Sequence, residues 1–426
     1  MQLKSIKIKN YKALQDIHLT ELPPFLVIVG ANGTGKSTLF DVFGFLRDAL
    51  CGNVRQALDS RGRFQEVVTR GHETESIIFE LQVTLDIAGR QRLVTYHLDI
   101  GLDGGRPVVQ REFLRYKRGR YGAPFYFLDF RQGSGFAIRN EEDFDKKDEE
   151  LTREEQRLES PDILAIKGLG QFERFKAASA FRLLLENWHV SDFHITAARG
   201  RKEATGTIEH LSETGDNLPR VAQYLYENYR PQFKTILARM RERVPGVSTV
   251  EPELTQDGYL ILRFRDGTFK TPFLDRYVSD GTIKMFAYLV LLHDPKPHPL
   301  LCIGEPENQL YPTLMGGLAE EFRDYARRGG QVMVSTHSPD LLNSTKLDEV
   351  FWLVKSEGLS QIKRAKDDPQ LVRYMSEGDQ MGYLWKQGFF PGVDPAGTSS
   401  SSSSRRNQPK SCSNPSSPNS SSTKPT

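Results

Sequence analysis

A glycine-rich stretch near the start of the chain has the residue types and the spacing to hold a chain of phosphates. It fills the pattern G-x-x-x-x-G-K-[ST] with Gly30, Gly35, Lys36 and Ser37. Glycines let consecutive backbone N–H groups turn toward phosphate oxygens, the lysine reaches the β- and γ-phosphates, and the serine hydroxyl binds Mg²⁺. The candidate nucleotide-binding residues are Gly30, Ala31, Asn32, Gly33, Thr34, Gly35, Lys36, Ser37 and Thr38.

The sequence on either side of this loop predicts the elements that such a site needs. Residues 25–29 form a short apolar run typical of a buried parallel strand, and residues 38–46 are typical of an apolar helix. The N-terminus of that helix would add the positive end of its dipole to the loop. The alternative is a glycine-rich turn that only connects a strand to a helix. The flanks favour the phosphate site, so we expect the chain to bind a nucleoside triphosphate.

Two later segments are predicted to be strands that deliver polar side chains. The apolar run from Pro299 ends at Glu305, which is a candidate base for an attacking water. The run from Gln331 ends at His337, which could contact the γ-phosphate or that water. A glutamate after a strand is common, and an isolated histidine is more often structural. A histidine at a strand end beside Ser335 and Thr336 is nevertheless better placed than most to contact a ligand.

A third segment could hold an anion at the start of a helix. Ser279 would cap the apolar helix that follows, and Gly281 would keep its N-terminus open. The alternative is an ordinary helix cap, and without the other segments we would prefer that interpretation.

Bulk composition limits the remaining possibilities. The chain has 426 residues, 38% hydrophobic and 26% charged, with a net charge of +2, which is typical of a soluble globular protein and gives no global attraction to nucleic acid or membrane. Its three cysteines (Cys51, Cys302 and Cys412) form no paired motif, so they suggest neither a disulfide framework nor a zinc site. No apolar run is long enough to span a membrane or to form a signal peptide, and we expect a cytoplasmic protein.

The order of these segments resembles the ABC-type ATPase heads of the RecF/SMC/OLD-like group, often described as AAA-family ATPases. That group has an N-terminal phosphate loop, and late in the chain a signature Ser-x-Gly helix, a strand ending in acid-Glu-Pro and a switch histidine. The matching segments here are residues 30–38, Ser279–Gly281, Ile303–Pro312 and Ser335–Pro339. The resemblance implies an α/β P-loop NTPase fold with a mixed sheet and an inserted α+β arm or lid.

The resemblance also implies a domain organisation. One head would occupy residues 1–390, with its halves at about 1–104 and 271–390 and a variable insertion at about 105–270. Residues 391–426, rich in serine and proline, are predicted to be a disordered tail.

The family would place ATP and Mg²⁺ between two heads. The phosphate loop, Glu305 and His337 of one subunit would face Ser279 and Gly281 of the other, which implies an ATP-dependent homodimer. A glutamine that senses Mg²⁺ is also expected, and Gln65 is our candidate, together with Ser37 as a metal ligand.

One residue departs from the family pattern. The family has Asp or Glu immediately before the catalytic glutamate, where it holds Mg²⁺ through water, whereas this chain has Gly304. Nucleotide binding should survive, but hydrolysis could be slow. A glycine here could also mark a positive φ that an aspartate would resist.

Two classes of function therefore stay open. One is an ATPase linked to DNA repair or phage defence. The other is a switch that binds ATP, hydrolyses it weakly or not at all, and recruits a separate effector protein. A basic stretch with Arg111, Arg115, Lys117, Arg118, Arg120, Phe113, Tyr116 and Tyr121 could contact DNA, although a solvated hairpin is the preferred interpretation. OLD nucleases carry a nuclease domain after the ATPase, and because only about 50 residues separate His337 from the predicted tail, we do not expect nuclease activity here.

Overall fold

A six-stranded sheet forms the centre of the protein. The computed structural model describes residues 1–119, 123–139, 147, 150–193, 198, 202–203, 208–267 and 271–393. The strands in chain order are β1 (Gln2–Tyr11), β2 (Leu14–Leu19), β3 (Phe25–Gly30), β4 (Ile77–Ile87), β5 (Arg90–Asp103), β6 (Arg106–Tyr116), β7 (Phe125–Arg131), β8 (Ser134–Ile138), β9 (Arg153–Arg157), β10 (Trp188–Ser191), β11 (Lys202–Glu203), β12 (Val247–Leu254), β13 (Tyr259–Asp266), β14 (Phe273–Leu274), β15 (Leu300–Gly304), β16 (Val332–Thr336), β17 (Val350–Ser356) and β18 (Leu359–Arg364).

The central sheet has the order β10-β15-β16-β3-β17-β18. The first five strands are parallel to their neighbours, and β18 pairs antiparallel at the edge, so the sheet is mixed as expected. Every residue of β3 is buried, with Leu26 and Ile28 on one face and Val27 and Val29 on the other. A strand buried on both faces explains why its sequence is a continuous apolar run rather than an alternating one.

Helices cover both faces of this sheet. They are α1 (Lys36–Cys51), α2 (Val54–Asp59), α3 (Phe64–Val67), α4 (Ala165–Leu169), α5 (Lys176–Glu186), α6 (Leu218–Asn228), α7 (Arg230–Arg243), α8 (Asp280–Leu292), α9 (Leu314–Arg327), α10 (Pro339–Leu342), α11 (Pro369–Ser376) and α12 (Met381–Lys386). One face packs on α1, α5 and the large antiparallel sheet, and the other packs on α8, α9 and the C-terminal helices. None of the helices in the described ranges is long and apolar enough to cross a bilayer.

An eight-stranded antiparallel sheet, in the order β2-β1-β4-β5-β6-β7-β8-β9, packs against α1. The domain boundary expected near residue 104 lies in the hairpin between β5 and β6 of this sheet. Strand β10 also lies inside the expected insertion yet belongs to the central sheet. Strands β6 to β9 thus extend the antiparallel sheet and β10 extends the central sheet, while the division of the head at residues 104 and 271 stays a prediction.

The basic stretch is part of this antiparallel sheet. Nε and Nη2 of Arg111 donate to the two carboxylate oxygens of Asp129, at 3.0 and 2.9 Å, and the Arg115 guanidinium lies 5.2 Å from the centre of the Phe113 ring. Arg118 is buried. These contacts favour the hairpin interpretation over a DNA surface. Arg120 and Tyr121, and the predicted tail from residue 394, lie outside the described residues.

Candidate functional site

The glycine-rich loop connects β3 to α1 in a conformation that requires its glycines. Gly33 and Gly35 have φ values of 78° and 102°, which favour glycine over other residues. A Cβ at Gly35 would also lie 2.5 Å from the Ser360 hydroxyl oxygen. That hydroxyl donates to the Thr34 carbonyl at 2.7 Å, so a hydrogen bond from strand β18 stabilises the loop conformation.

The Lys36 side chain folds over this loop. Its Nζ donates to the carbonyls of Gly30 at 2.9 Å and Ala31 at 3.2 Å, and the residue is 6% exposed. Burial lowers the pKa of Lys36, and the charges of Glu305 and Glu307 partly oppose that change. The loop therefore carries a poorly solvated ammonium that an anion would stabilise.

Glu305 stands where β15 ends, as expected. Its backbone N–H donates to the Ser335 carbonyl on β16 at 2.8 Å, and its φ is 42°. A positive φ at a non-glycine residue is uncommon and turns the chain sharply out of the sheet. The carboxylate oxygen Oε1 then lies 3.4 Å from Nε2 of His337, and Oε2 accepts from the Asn308 amide at 3.1 Å. The structure thus brings the two predicted catalytic side chains together.

Glu307 fixes the backbone beneath His337. Its Oε1 accepts from the His337 N–H at 2.7 Å, a role that the sequence did not suggest. Burial, and then the positive charge of Lys36, lower the pKa of the His337 imidazole below its ordinary value. His337 is therefore neutral at pH 7 and keeps one nitrogen able to accept a proton.

A cavity of about 390 Å³ lies between the start of α1 and the ends of the parallel strands. Ser37 lines it together with Glu305, Gly304 and Ser335, and so does Asp192, which follows β10. The carboxyl ends of parallel strands are the usual place for ligands in such sheets. Sequence reasoning missed Asp192, although Val190-Ser191-Asp192 repeats the pattern of an apolar strand that ends in polar residues.

Gln65 does not line this cavity. It lies at an exposed position of the four-residue helix α3, which packs beneath the turn between β1 and β2. The polar side chain that follows the strand beside β15 is Asp192, and Gln65 as a metal ligand stays a prediction that this cavity does not support.

Ser279 and Gly281 lie at the N-terminus of α8, away from that cavity. The Ser279 hydroxyl accepts from the Thr282 N–H at 3.3 Å and caps the helix, as predicted. Both residues line a different cavity of about 920 Å³, beside Gln309 and Tyr311. A Cβ at Gly281 would lie 2.7 Å from the Gln309 carbonyl, so the glycine permits close approach of the loop that follows Glu305.

Comparisons with known proteins place this arrangement in a family. Residues 25–343 match the family described as "AAA domain, putative AbiEii toxin, Type IV TA system". A crystal structure of an SMC head bound to the C-terminal winged-helix domain of ScpA superimposes with a TM-score of 0.53 at 13% identity, covering 85% of this chain and 98% of that one. The SMC head from Thermotoga maritima gives a TM-score of 0.44 at 14% identity, covering 85% of this chain and 99% of that one. No curated protein matches the chain.

Proposed function

The chain belongs to this AAA domain family and has the P-loop NTPase fold of SMC-type ATPase heads. We propose that it binds ATP with Mg²⁺ and hydrolyses the bond between the β- and γ-phosphates. The observation that carries the proposal is the meeting of the phosphate loop with three strand ends at one cavity. Ser37, Asp192 and Glu305 line it, and His337 contacts Glu305.

Lys36 and the loop N–H groups would bind the phosphates. The ammonium now donates to loop carbonyls, and phosphate oxygens would be stronger, charged acceptors in the same place. The positive φ values of Gly33 and Gly35 allow successive backbone N–H groups of the loop to point toward one bound anion. The donor set therefore fits a triphosphate.

Bound Mg²⁺ would neutralise charge on the β- and γ-phosphates. The Ser37 hydroxyl and the Asp192 carboxylate are oxygen donors on the same cavity, which is the ligand chemistry that this ion requires. Asp192 thereby offers a carboxylate near the position where Gly304 lacks one.

Glu305 would accept the proton of the attacking water. Its side chain is 40% exposed, so water can reach it, and neutral His337 can hydrogen-bond to the same water. Glu307 keeps His337 in place through the backbone bond described above.

The separate position of the Ser279 and Gly281 cavity supports an ATP-dependent homodimer. The two cavities share no lining residue, so within one chain the cap of α8 and Ser37 line separate cavities. A second copy could bring its own α8 N-terminus to the nucleotide, where the helix dipole favours a γ-phosphate.

A second candidate function is an ATP-binding switch that hydrolyses weakly and recruits a separate effector protein. Gly304 favours it, because the residue next to the base supplies no carboxylate. The slower the turnover relative to ATP binding, the stronger the support for this alternative.

The first test is the Lys36→Ala variant. Removing the cation should weaken ATP binding by at least a few kcal/mol, which is about a hundredfold or more in affinity. Isothermal calorimetry of ATP binding measures this effect, with Lys386→Ala, at an exposed lysine of α12, as a matched lysine control. Near-normal affinity in Lys36→Ala would overturn the phosphate-loop assignment.

A further inference from the structure

A group of three histidines and one aspartate, of which His210 is partly exposed and the others are buried, lies at the opposite ends of the strands and helix that carry the candidate ATP site. His210, Asp294 and His298 each offer one ligand atom, and these atoms lie within 4.8 Å of one another. Asp294 comes two residues after α8, and His298 comes two residues before β15. His189, on β10, stacks on His298 with ring centres 4.8 Å apart.

Two of these imidazoles have a buried nitrogen without a hydrogen-bond partner. His298 is 8% exposed; its Nδ1 bonds to the Asn187 carbonyl at 3.0 Å, while its Nε2 has no partner. Nε2 of His189, which is 3% exposed, has none either. A buried polar atom without a hydrogen bond destabilises the folded state, and a bound ligand at these two nitrogens would remove that penalty.

The remaining contacts hold the group in place around its one carboxylate, that of Asp294. Nδ1 of His210 lies 2.7 Å from Oδ2 of Asp294, whose Oδ1 accepts from the Lys296 N–H at 2.8 Å. Asn217 holds the His210 carbonyl at 2.9 Å. The Arg47 guanidinium, which also faces the group, is paired with Glu213.

From this geometry we propose that His210, Asp294 and His298 form a structural site for a transition-metal ion of the Zn²⁺ class, with His189 as a candidate fourth ligand. Imidazole nitrogens with one carboxylate are the donors that Zn²⁺ prefers, whereas Mg²⁺ and Ca²⁺ require oxygen-rich sites. Ligand atoms in a tetrahedral Zn²⁺ site lie about 3.3 Å apart. The three ligand atoms here lie within 4.8 Å of one another, so small rotations of the imidazole rings would bring them to that spacing.

The protonation states agree with such a site. Burial lowers the pKa of His298 and of His189, which keeps both rings in the neutral form that binds metals. The hydrogen bond to Asp294 raises the pKa of His210, so this ring would lose its proton when an ion binds.

Metal content of the untagged full chain tests the proposal. After dialysis against Zn²⁺ or Co²⁺ with excess Mg²⁺ present, we expect one ion per chain by mass spectrometry, and visible absorption typical of tetrahedral Co²⁺. His210→Ala and Asp294→Asn should each lower Co²⁺ affinity at least about tenfold. His210 is partly exposed, so its variant should keep the core intact.

Two controls separate this site from others. His18→Ala, at an exposed histidine on β2, should bind Co²⁺ like the wild type. Zn²⁺ should also raise the melting temperature of the wild type but not of His210→Ala. Absence of Co²⁺ binding, or equal binding by wild type, His210→Ala and Asp294→Asn, would mean that the cluster is only a hydrogen-bonded group.

Discussion

At the scale of single residues, Gly304 and Asp192 set how many carboxylates line the candidate ATP cavity next to Glu305. Gly304 lies in regular strand and does not have the positive φ that the sequence left open; that conformation belongs to Glu305. A Cβ at Gly304 would meet only the Ser335 hydroxyl oxygen, at 3.9 Å. The site therefore has room for a side chain at residue 304, while Asp192 already supplies a carboxylate from the neighbouring strand.

Gly304→Asp should speed ATP hydrolysis and reduce the Mg²⁺ concentration that it requires. A well-placed charged group is commonly worth a few kcal/mol in such sites, or about a hundredfold in rate, although repulsion by Asp192 would reduce the gain. Turnover measured across Mg²⁺ concentrations tests this, with Gly304→Asn as the uncharged control of the same shape. Equal rates in both variants would show that charge at residue 304 is not limiting.

At the scale of elements, a buried carboxylate joins β6 to helix α4. Glu112 is fully buried; its carboxylate accepts from the Ile166 N–H at 3.1 Å and from the Tyr96 hydroxyl at 3.0 Å. It thus satisfies part of the helix N-terminus, where α4 has no cap of its own. Burial raises the pKa of Glu112 to about 7, against the opposing effect of these hydrogen bonds.

This shift predicts that the free energy of unfolding falls as the pH rises from about 4.5 to about 7. Because the folded pKa lies above the unfolded value near 4.5, the stabilising contribution is complete below about 4.5 and disappears as pH rises through about 7. A shift of this size corresponds to roughly 3 kcal/mol. Between pH 5.5 and pH 8, urea unfolding should show about 2 kcal/mol of this loss in the wild type and in the exposed control Glu155→Gln, but not in Glu112→Gln. The same pH dependence in all three proteins would contradict the assignment.

At the scale of the whole molecule, the proposed dimer would explain why the cap of α8 and the phosphate loop line separate cavities. Glu305→Gln keeps the shape of the side chain but removes the base, so ATP should bind without being hydrolysed and accumulate the dimer. Light scattering with ATP and Mg²⁺ should report about twice the monomer mass. Adding Ser279→Arg to this variant should return it to monomer. A monomeric Glu305→Gln that still binds ATP would contradict the dimer.

Local sequence patterns predicted some parts of the site and missed others for a physical reason. The phosphate loop, β15 and the capped helix α8 could be predicted because each is specified by neighbouring residues. Asp192 follows a strand of only four residues, and its strand is identified by pairing with β15. The histidine group likewise joins segments far apart in sequence, and only the folded chain brings them together.

The position of β3 in the central sheet has a consequence for biosynthesis. This strand pairs on one side with β16 and on the other with β17, and the Gln331 side chain bonds to the backbone of Leu3, 328 residues away. Both partners of β3 are therefore translated long after it. At a translation rate of about 5–20 residues per second, both edges of β3 would stay unpaired for tens of seconds during synthesis. Contacts so distant in sequence slow folding and expose strand edges, so the nascent chain should depend strongly on chaperones.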